Sequence, residues 1–209
     1  MTLFVVTLLP VVTGLGLWQL ERAEEKRRFE EAYLDRLASL PVVPGEKLVD
    51  FQRLRLAGRF EQDRDFLLDN QTWQGQVGYG VISSFLTSDG QRWLVNRGFL
   101  AGGNDRERLP AVQTPLEPAV IVGVVWPELG LLPMFAEDLW AAGWPKRIQR
   151  FEVARMAALL ADARPVEIRL EAGQPGVLTP APLEMNMPET KHTGYAVQWF
   201  GLAAALAIG

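Results

Sequence analysis

The chain contains no cysteine among its 209 residues and has a single histidine, His192. Without cysteine, this sequence cannot form disulfide bonds, thiolate nucleophiles or thiol-ligated metal sites. One imidazole cannot supply the several histidines of a typical zinc site. A serine hydrolase would have to use His192 as its base, far along the chain from Ser83 and Ser84. These shortages argue against an enzyme of any of these classes.

Basic clusters and phosphate-binding loops are also missing. The formal net charge is −4, so the sequence carries no polybasic footprint, and we predict no nucleic-acid partner. Gly75, Gly78 and Gly80 lie in or before a predicted strand, whereas a phosphate loop would lead into a helix. The carboxylate pair Asp63 and Asp65 is typical of a solvated strand edge. We therefore predict that the protein is not an enzyme.

Charged side chains are absent from residues 1–20 and then abundant in residues 21–28. An uncharged stretch of this length, with Trp18 near its end, fits a membrane-spanning helix that rises about 1.5 Å per residue. The alternative is a cleaved signal peptide, which would have a basic start and a small-x-small exit. Neither feature is present, so we expect residues 1–20 to form a membrane anchor.

The C-terminal segment, residues 192–209, has no charge after His192 and begins with Tyr195 and Trp199. Aromatic residues at the start of an apolar run are typical of the water–lipid boundary. Fifteen residues follow Gly194, fewer than the roughly 20 that span a bilayer. The segment is either a second span cut short or a short buried helix, and the first anchor favours the span. The predicted organisation is a transmembrane helix over 1–20, a soluble domain over 21–191 and a truncated transmembrane helix over 192–209.

The soluble domain shows mainly the two-residue alternation of half-buried strands. We predict helices over 21–40 and 151–163, and strands over 51–60, 66–68, 77–86, 92–100, 119–126 and 166–171. Hairpin spacing between these strands indicates an α+β fold with a mainly antiparallel β-barrel or sandwich and short helices.

An irregular stretch over 127–145 concentrates large apolar residues, namely Leu131, Leu132, Met134, Phe135, Leu139, Trp140 and Trp144. It either folds back over the end of the sheet as a plug or forms a patch for a partner or a membrane surface.

Four stretches resemble motifs of the Surfeit locus (Surf/Shy) family of cytochrome oxidase assembly factors, in the same order. They are residues 16–22 with 25–27 (GLWQLER, EKR), 69–70 with 78–81 (DN, GYGV), 94–99 with 108–110 (LVNRGF, RLP), and 192–200 (HTGYAVQWF). Ser84 departs from the pattern, since a proline is expected there. The stretches span the whole chain.

The resemblance implies a chaperone-like assembly factor for a haem-copper cytochrome c oxidase in respiratory-chain biogenesis. Its partners would be the catalytic subunit, other assembly factors and the lipid bilayer. Its main domain would face the periplasm or the mitochondrial intermembrane space. Because no arginine-rich, serine-rich transit sequence precedes residues 1–20, we expect a multi-pass protein of a bacterial inner membrane with the main domain in the periplasm. The basic residues that follow residues 1–20 oppose this orientation under the positive-inside rule. The factor would present haem a to the nascent subunit; the alternative is a scaffold that stabilises assembly intermediates without a cofactor.

His192 is the candidate axial ligand to the haem iron, because a neutral imidazole binds iron well. Helical spacing would place Tyr195 and Trp199 beneath it on the same face, with Leu202 and Leu206 beyond. The alternative is that His192 caps the helix or bonds a lipid headgroup.

Two polar contacts complete the predicted site. Lys191 or Arg97 would reach the haem propionates, although Arg97 has a structural alternative in which Gly98 permits a bulge beside it. Gln19 and Gln198 would lie at similar depth and face each other or a shared polar ligand. Their alternative is that each reaches the headgroup level.

Overall fold

A computed structural model describes residues 2–103, 105, 108–128, 138–161, 163–180 and 189–208. The chain divides into two compact units, one of Met1–Asp35 with Pro182–Gly209 and one of Arg36–Ala181. The elements in chain order are α1 (Thr2–Leu37), β1 (Arg53–Trp73), β2 (Gln76–Thr87), β3 (Arg92–Ala101), β4 (Ala119–Trp126), β5 (Lys146–Ile148), α2 (Val153–Leu159), β6 (Arg164–Leu170) and α3 (Glu189–Ile208).

Helix α1 joins the apolar segment and the charged segment into one continuous helix of 36 residues. It passes through Pro10, and the hydroxyl of Thr13 donates to the carbonyl of Leu9 at 2.8 Å. Among the described residues, α1 is the one helix long and apolar enough to cross a membrane. This supports membrane association, whereas a second span at α3 stays a prediction.

The charged half of α1 is crossed by ion pairs between side chains three or four residues apart. Arg22 bonds Glu25 at 2.6 Å, and Arg27 bonds Glu24 at 2.7 Å. These groups are exposed to solvent, so each pair adds little to the stability of the helix.

The second unit contains a six-stranded sheet in the order β2-β3-β6-β4-β1-β5, with an additional β1–β2 pairing. Four strand pairs are antiparallel, but β3 with β6 and β1 with β5 are parallel. The α+β class is confirmed. The sheet is mixed, so the prediction of a mainly antiparallel barrel or sandwich holds only in part.

Strand β1 covers the two strands predicted over 51–60 and 66–68 and continues to Trp73. Its pairing with β2 shifts register between Phe60 and Asp65 and again between Leu68 and Gln71. Asp63 and Asn70 have positive φ angles of 51° and 58° within these shifts. Bulge-type irregularities of this kind add residues on one strand and interrupt the alternation of side chains, which is why the sequence indicated two strands.

Two of the apolar clusters in the core of this unit show how its elements pack. One lies on the sheet around Leu54, Leu56 and Phe85. The other joins Phe66 to α2, and the half-buried rings of Trp140 and Trp144 pack edge-on against Phe66 at 5.7 and 5.1 Å between centroids. For these two tryptophans, the fold-back alternative is therefore the better one.

Leu139 of the same apolar stretch differs from these two tryptophans in its exposure. Leu139 is 79% exposed, and Leu131, Leu132, Met134 and Phe135 lie outside the described residues.

Candidate functional site

In the helical unit, the only histidine contacts the glutamine of the first apolar segment. The Nδ1 atom of His192 lies 2.7 Å from Oε1 of Gln19, although the residues are 173 positions apart in the chain. The His192 side chain is only 8% exposed. Two residues from the first and fourth motif stretches therefore form one polar contact between α1 and α3.

Small residues let the two helices approach closely at this contact. A Cβ atom added to Gly16 would lie 2.7 Å from the ring of Phe200, closer than atoms can pack. Val12 on α1 and Ala203 on α3 are buried as well. Helices in membranes associate through such small-residue packing and through interhelical hydrogen bonds, so Gly16 and Phe200 fix the spacing at which Gln19 reaches His192.

The buried face of α3 differs from the aromatic face that was predicted to meet haem, and the haem-binding role of that face stays a prediction. It is formed by His192, Ala196 and Ala203, with Trp199 half-buried beside it. Tyr195 is 44% exposed, so it lies at the edge of the face that packs on α1. The spacing of aromatic residues gives no signal for Ala196, which is buried in this face.

The predicted amide pair between the helices is wrong. Gln19 bonds His192, while the Gln198 side chain is exposed within this unit. The side chain that pairs with Gln19 is the imidazole of His192, which precedes Gln198 on α3 by about one and a half helical turns. The expectation that Gln19 pairs with a polar side chain of α3 at similar depth was right. It could not decide between His192 and Gln198, because both are polar and lie on the same helix.

The contact leaves the imidazole able to bind one further atom. Oε1 of Gln19 can only accept, so this contact is a hydrogen bond when Nδ1 carries the proton. Within the described residues, Nε2 has no hydrogen-bond partner. No group of three or more His, Cys, Asp or Glu residues that could hold a metal ion occurs in the described parts of the chain. This donor set suits a single axial ligand to a group that brings its own remaining ligands, as haem does.

Arg97, the predicted propionate contact, lies inside the second unit. It is 1% exposed and occupies the place where the β2–β3 register shifts, since Val81 faces Gly98 and Ile82 faces Asn96. Gly98 has φ of 104°, as a bulge beside Arg97 requires.

The donors of Arg97 are used within the same unit. Nε donates to the carbonyl of Gly176 at 2.6 Å, and one terminal nitrogen donates to the carbonyl of Gln113 at 2.6 Å. The other terminal nitrogen bonds the hydroxyls of Thr114 and Ser83 at 3.1 and 3.2 Å. These contacts favour the structural alternative for Arg97.

A buried carboxylate balances the charge of Arg97. Asp65 is 4% exposed and accepts a hydrogen bond from Ser83, which also bonds Arg97. Burial raises the pKa of the Asp65 carboxyl, while the hydrogen bond from Ser83 and the charge of Arg97 oppose that rise. The interpretation of Asp65 as a solvated edge residue was wrong; its position directly before an apolar run was the available signal.

Ser84, the position where the motif pattern expects proline, also has a polar role. Its hydroxyl donates to Glu61 at 2.6 Å, and Glu61 bonds Arg92 at 3.0 Å. The pKa of Glu61 is lowered because the hydrogen bonds from Arg92 and Ser84 outweigh the opposing effect of burial. Ser84 therefore adds a hydrogen bond to the ion pair of Glu61 with Arg92, which a proline at this position could not do.

Comparison with known proteins agrees with the motif stretches. The model of the SURF1 family matches residues 6–204. A SURF1-like protein of Rickettsia bellii (strain RML369-C) is 26% identical over 208 residues, covering 95% of this chain and 84% of that protein. One of Rickettsia prowazekii (strain Madrid E) is 26% identical over 216 residues, covering 98% and 85%. One of Dictyostelium discoideum is 32% identical over 107 residues, covering 44% and 40%.

Proposed function

The chain belongs to the SURF1 family, a family of oxidase assembly factors, and from this premise we propose that it assists the assembly of a haem-copper cytochrome c oxidase by binding haem a through His192. The single observation that carries the haem part is the geometry of His192. Its Nδ1 is engaged by Gln19, and a ligating histidine ordinarily has its other ring nitrogen held in this way.

The residues around His192 are suited to a flat, largely apolar cofactor. Trp199 and Tyr195 offer aromatic surface close to it on α3, and Lys191, one residue before it, is exposed and able to meet a propionate. Arg97 is left out of this proposal, because its donors are used elsewhere. Haem a would supply the redox iron that the oxidase needs, and the task of this chain would be to hold it by one nitrogen and release it.

The setting of the protein follows from α1. Its apolar length supports membrane association, and we place it in a bacterial inner membrane as a two-span protein whose main unit faces the periplasm. Its partners would be the nascent catalytic subunit, other assembly factors and the surrounding lipid.

A scaffold without a cofactor is the second candidate, and one observation favours it. The His192–Gln19 bond joins α1 to α3 and would hold the helix pair together whether or not haem binds.

Replacing His192 separates the two candidates. The variant His192→Gln keeps a side-chain amide that can bond Gln19 but has no imidazole for iron, whereas His192→Ala removes both. Each variant is purified from cells that synthesise haem a, and its absorption spectrum and the oxidase activity of the membranes are measured. We expect both variants to lose haem a by more than the roughly 10–100-fold that loss of an outer partner costs.

The matched control is Thr193→Val, the adjacent residue, whose hydroxyl bonds its own helix at Glu189. It should keep wild-type haem content. If His192→Gln retains the wild-type spectrum and haem content, the ligand role is wrong. If in addition only His192→Ala impairs the oxidase, the scaffold function takes its place.

A further inference from the structure

We infer that Gln19 is the positioning residue of the site: it holds His192 in the tautomer with the proton on Nδ1 and so makes Nε2 the atom that binds iron. The part about iron rests on the proposed function, whereas the part about the tautomer does not. Nothing in the sequence pattern assigns this role, because Gln19 and His192 lie at opposite ends of the chain.

The chemistry of the two groups fixes the direction of the hydrogen bond. The Oε1 atom of Gln19 faces Nδ1 at 2.7 Å, and a carbonyl oxygen accepts but never donates. A neutral imidazole carries one proton on one of its two nitrogens. The proton must therefore be on Nδ1, and the lone pair that a metal needs is on Nε2.

The surroundings make this assignment strong. His192 is 8% exposed, so water has little access to compete for the ring. Hydrogen bonds between helices in apolar surroundings contribute about 0.6–2 kcal/mol, which is enough to favour one tautomer over the other by roughly threefold to thirtyfold. Gly16 holds α1 close to Phe200, one turn from Gln19, so the amide has little freedom to withdraw.

The amide of Gln19 also affects how strongly the imidazole of His192 would bind iron. A neutral acceptor orients the ring without adding negative charge to it, whereas a carboxylate at the same place would make the imidazole a stronger donor to iron. A modest donor suits a protein that must release its haem. Gln19 would therefore set both the orientation and the strength of the ligand.

The tautomer can be measured in the absence of haem, because the chain has a single histidine. Full-length protein is labelled with ¹⁵N-histidine, purified without a histidine tag and reconstituted in lipid nanodiscs. We expect the ¹⁵N spectrum to show a protonated Nδ1 and an unprotonated Nε2 in the wild type. In Gln19→Leu the proton should redistribute toward Nε2. A wild-type ring protonated on Nε2, or a spectrum unchanged by Gln19→Leu, would overturn the inference.

The haem-loaded protein supplies the second measurement. We expect Gln19→Leu to weaken haem a binding by about 10–100-fold. Gln19→Glu, which keeps an acceptor, should retain haem and shift its reduction potential to a lower value than that of the wild type. The matched control is Thr13→Val on the same helix, since the Thr13 hydroxyl bonds the backbone of α1; it should change neither property.

The outcomes separate this inference from the proposed function. If the wild type binds no haem a, the proposed function fails while the tautomer measurement still decides the role of Gln19. If the wild type binds haem a and Gln19→Leu binds it equally with the same potential, the positioning role fails and the proposed function stands.

Discussion

Arg97 can be buried in the second unit because each nitrogen of its guanidinium group donates a hydrogen bond and the group lies over an aromatic ring. Its hydrogen bonds reach the carbonyls of Gly176 and Gln113, and its charge lies 5.1 Å from the centre of the Phe60 ring. Buried charges are tolerated only when paired and hydrogen-bonded in this manner. The motif that contains Arg97 is thus explained by folding rather than by contact with a ligand.

Replacement of Arg97 tests that explanation. We expect Arg97→Met to lower the free energy of unfolding by about 3 kcal/mol, because the change leaves Asp65 buried without its counter-charge. For a chain of this size, that loss lowers the melting temperature by roughly 6–12 °C. The measurement is thermal unfolding followed by tryptophan fluorescence in detergent. The control Arg55→Met, at an exposed position of β1, should change stability by less than about 0.5 kcal/mol.

The loss in Arg97→Met should also depend on pH. Burial already raises the pKa of Asp65 in the folded protein, and removal of the arginine raises it further. A carboxyl whose folded pKa exceeds its unfolded pKa favours folding below the unfolded value, and this contribution is lost as the pH rises through the folded value. The difference in stability between wild type and variant should therefore be smallest at pH values below 3.8, the ordinary pKa of an aspartic acid side chain, and grow toward neutral pH. An equal difference at every pH would argue against the electrostatic explanation.

At the scale of elements, local sequence patterns were sufficient to predict β2, β3 and β4 almost to the residue. The predicted hairpin spacing between β2 and β3 is also confirmed: the strands pair antiparallel, and in the turn between them the amide of Gly90 (φ 87°) donates to the carbonyl of Thr87 at 2.9 Å. Strand β5 was missed because three residues are too few to show a period. Its formation depends on the parallel pairing of Lys146–Ile148 with Phe66–Leu68, a contact that no local pattern encodes.

The site was predictable in its residue type but not in its geometry. A lone histidine beside an uncharged helix was conspicuous in composition. Its partner required knowledge of how α1 and α3 pack, which depends on Gly16 and Phe200 rather than on any motif of ligands. Helical spacing of aromatic residues could not predict which face of α3 is buried, because aromatic residues in a membrane helix can face lipid as readily as another helix.

The pairing of the helices can be tested at Gly16. We expect Gly16→Leu to separate α1 from α3, because the added side chain would overlap Phe200, and overpacking costs about 1–3 kcal/mol. The His192 resonances in the ¹⁵N spectrum should then move to those of a ring without the Gln19 hydrogen bond. Gly14→Leu is the matched control, since nothing lies within 4 Å of a Cβ atom there. A shift of equal size in both variants would show that leucine alone, and not overlap at Gly16, causes the change.

On the scale of the whole molecule, four separate motif stretches reduce to two contact regions. The first and fourth meet between α1 and α3 through Gln19 and His192. The second and third meet between β2 and β3, where Val81 faces Gly98. Each region lies within one of the two units. The four stretches therefore correspond to two packing contacts, one between α1 and α3 and one between β2 and β3.

The orientation in the membrane is the prediction on which charge and family disagree. Arg22, Lys26, Arg27 and Arg28 follow the apolar segment, and no basic residue precedes it, so the positive-inside rule places the main unit in the cytoplasm. In the structure, three of these four groups are engaged: Arg22 by Glu25, and Arg27 and Arg28 by Glu24. Such pairing reduces the net charge carried by this part of the helix, although acidic residues contribute little to the rule. The periplasmic orientation that the family resemblance implies therefore stays a prediction.

Reporter fusions decide the orientation directly. Alkaline phosphatase, which is active only in the periplasm, is fused after Glu61 in a bacterial host, and green fluorescent protein, which folds in the cytoplasm, is fused at the same residue in a second copy. We expect phosphatase activity without fluorescence, because α1 would carry residue 61 across the membrane. The control lacks residues 2–20 and should give the opposite pair of signals. Fluorescence without phosphatase activity in the full-length fusion would show that the main unit lies in the cytoplasm. The positive-inside rule would then be right, and the orientation implied by the family resemblance would be wrong.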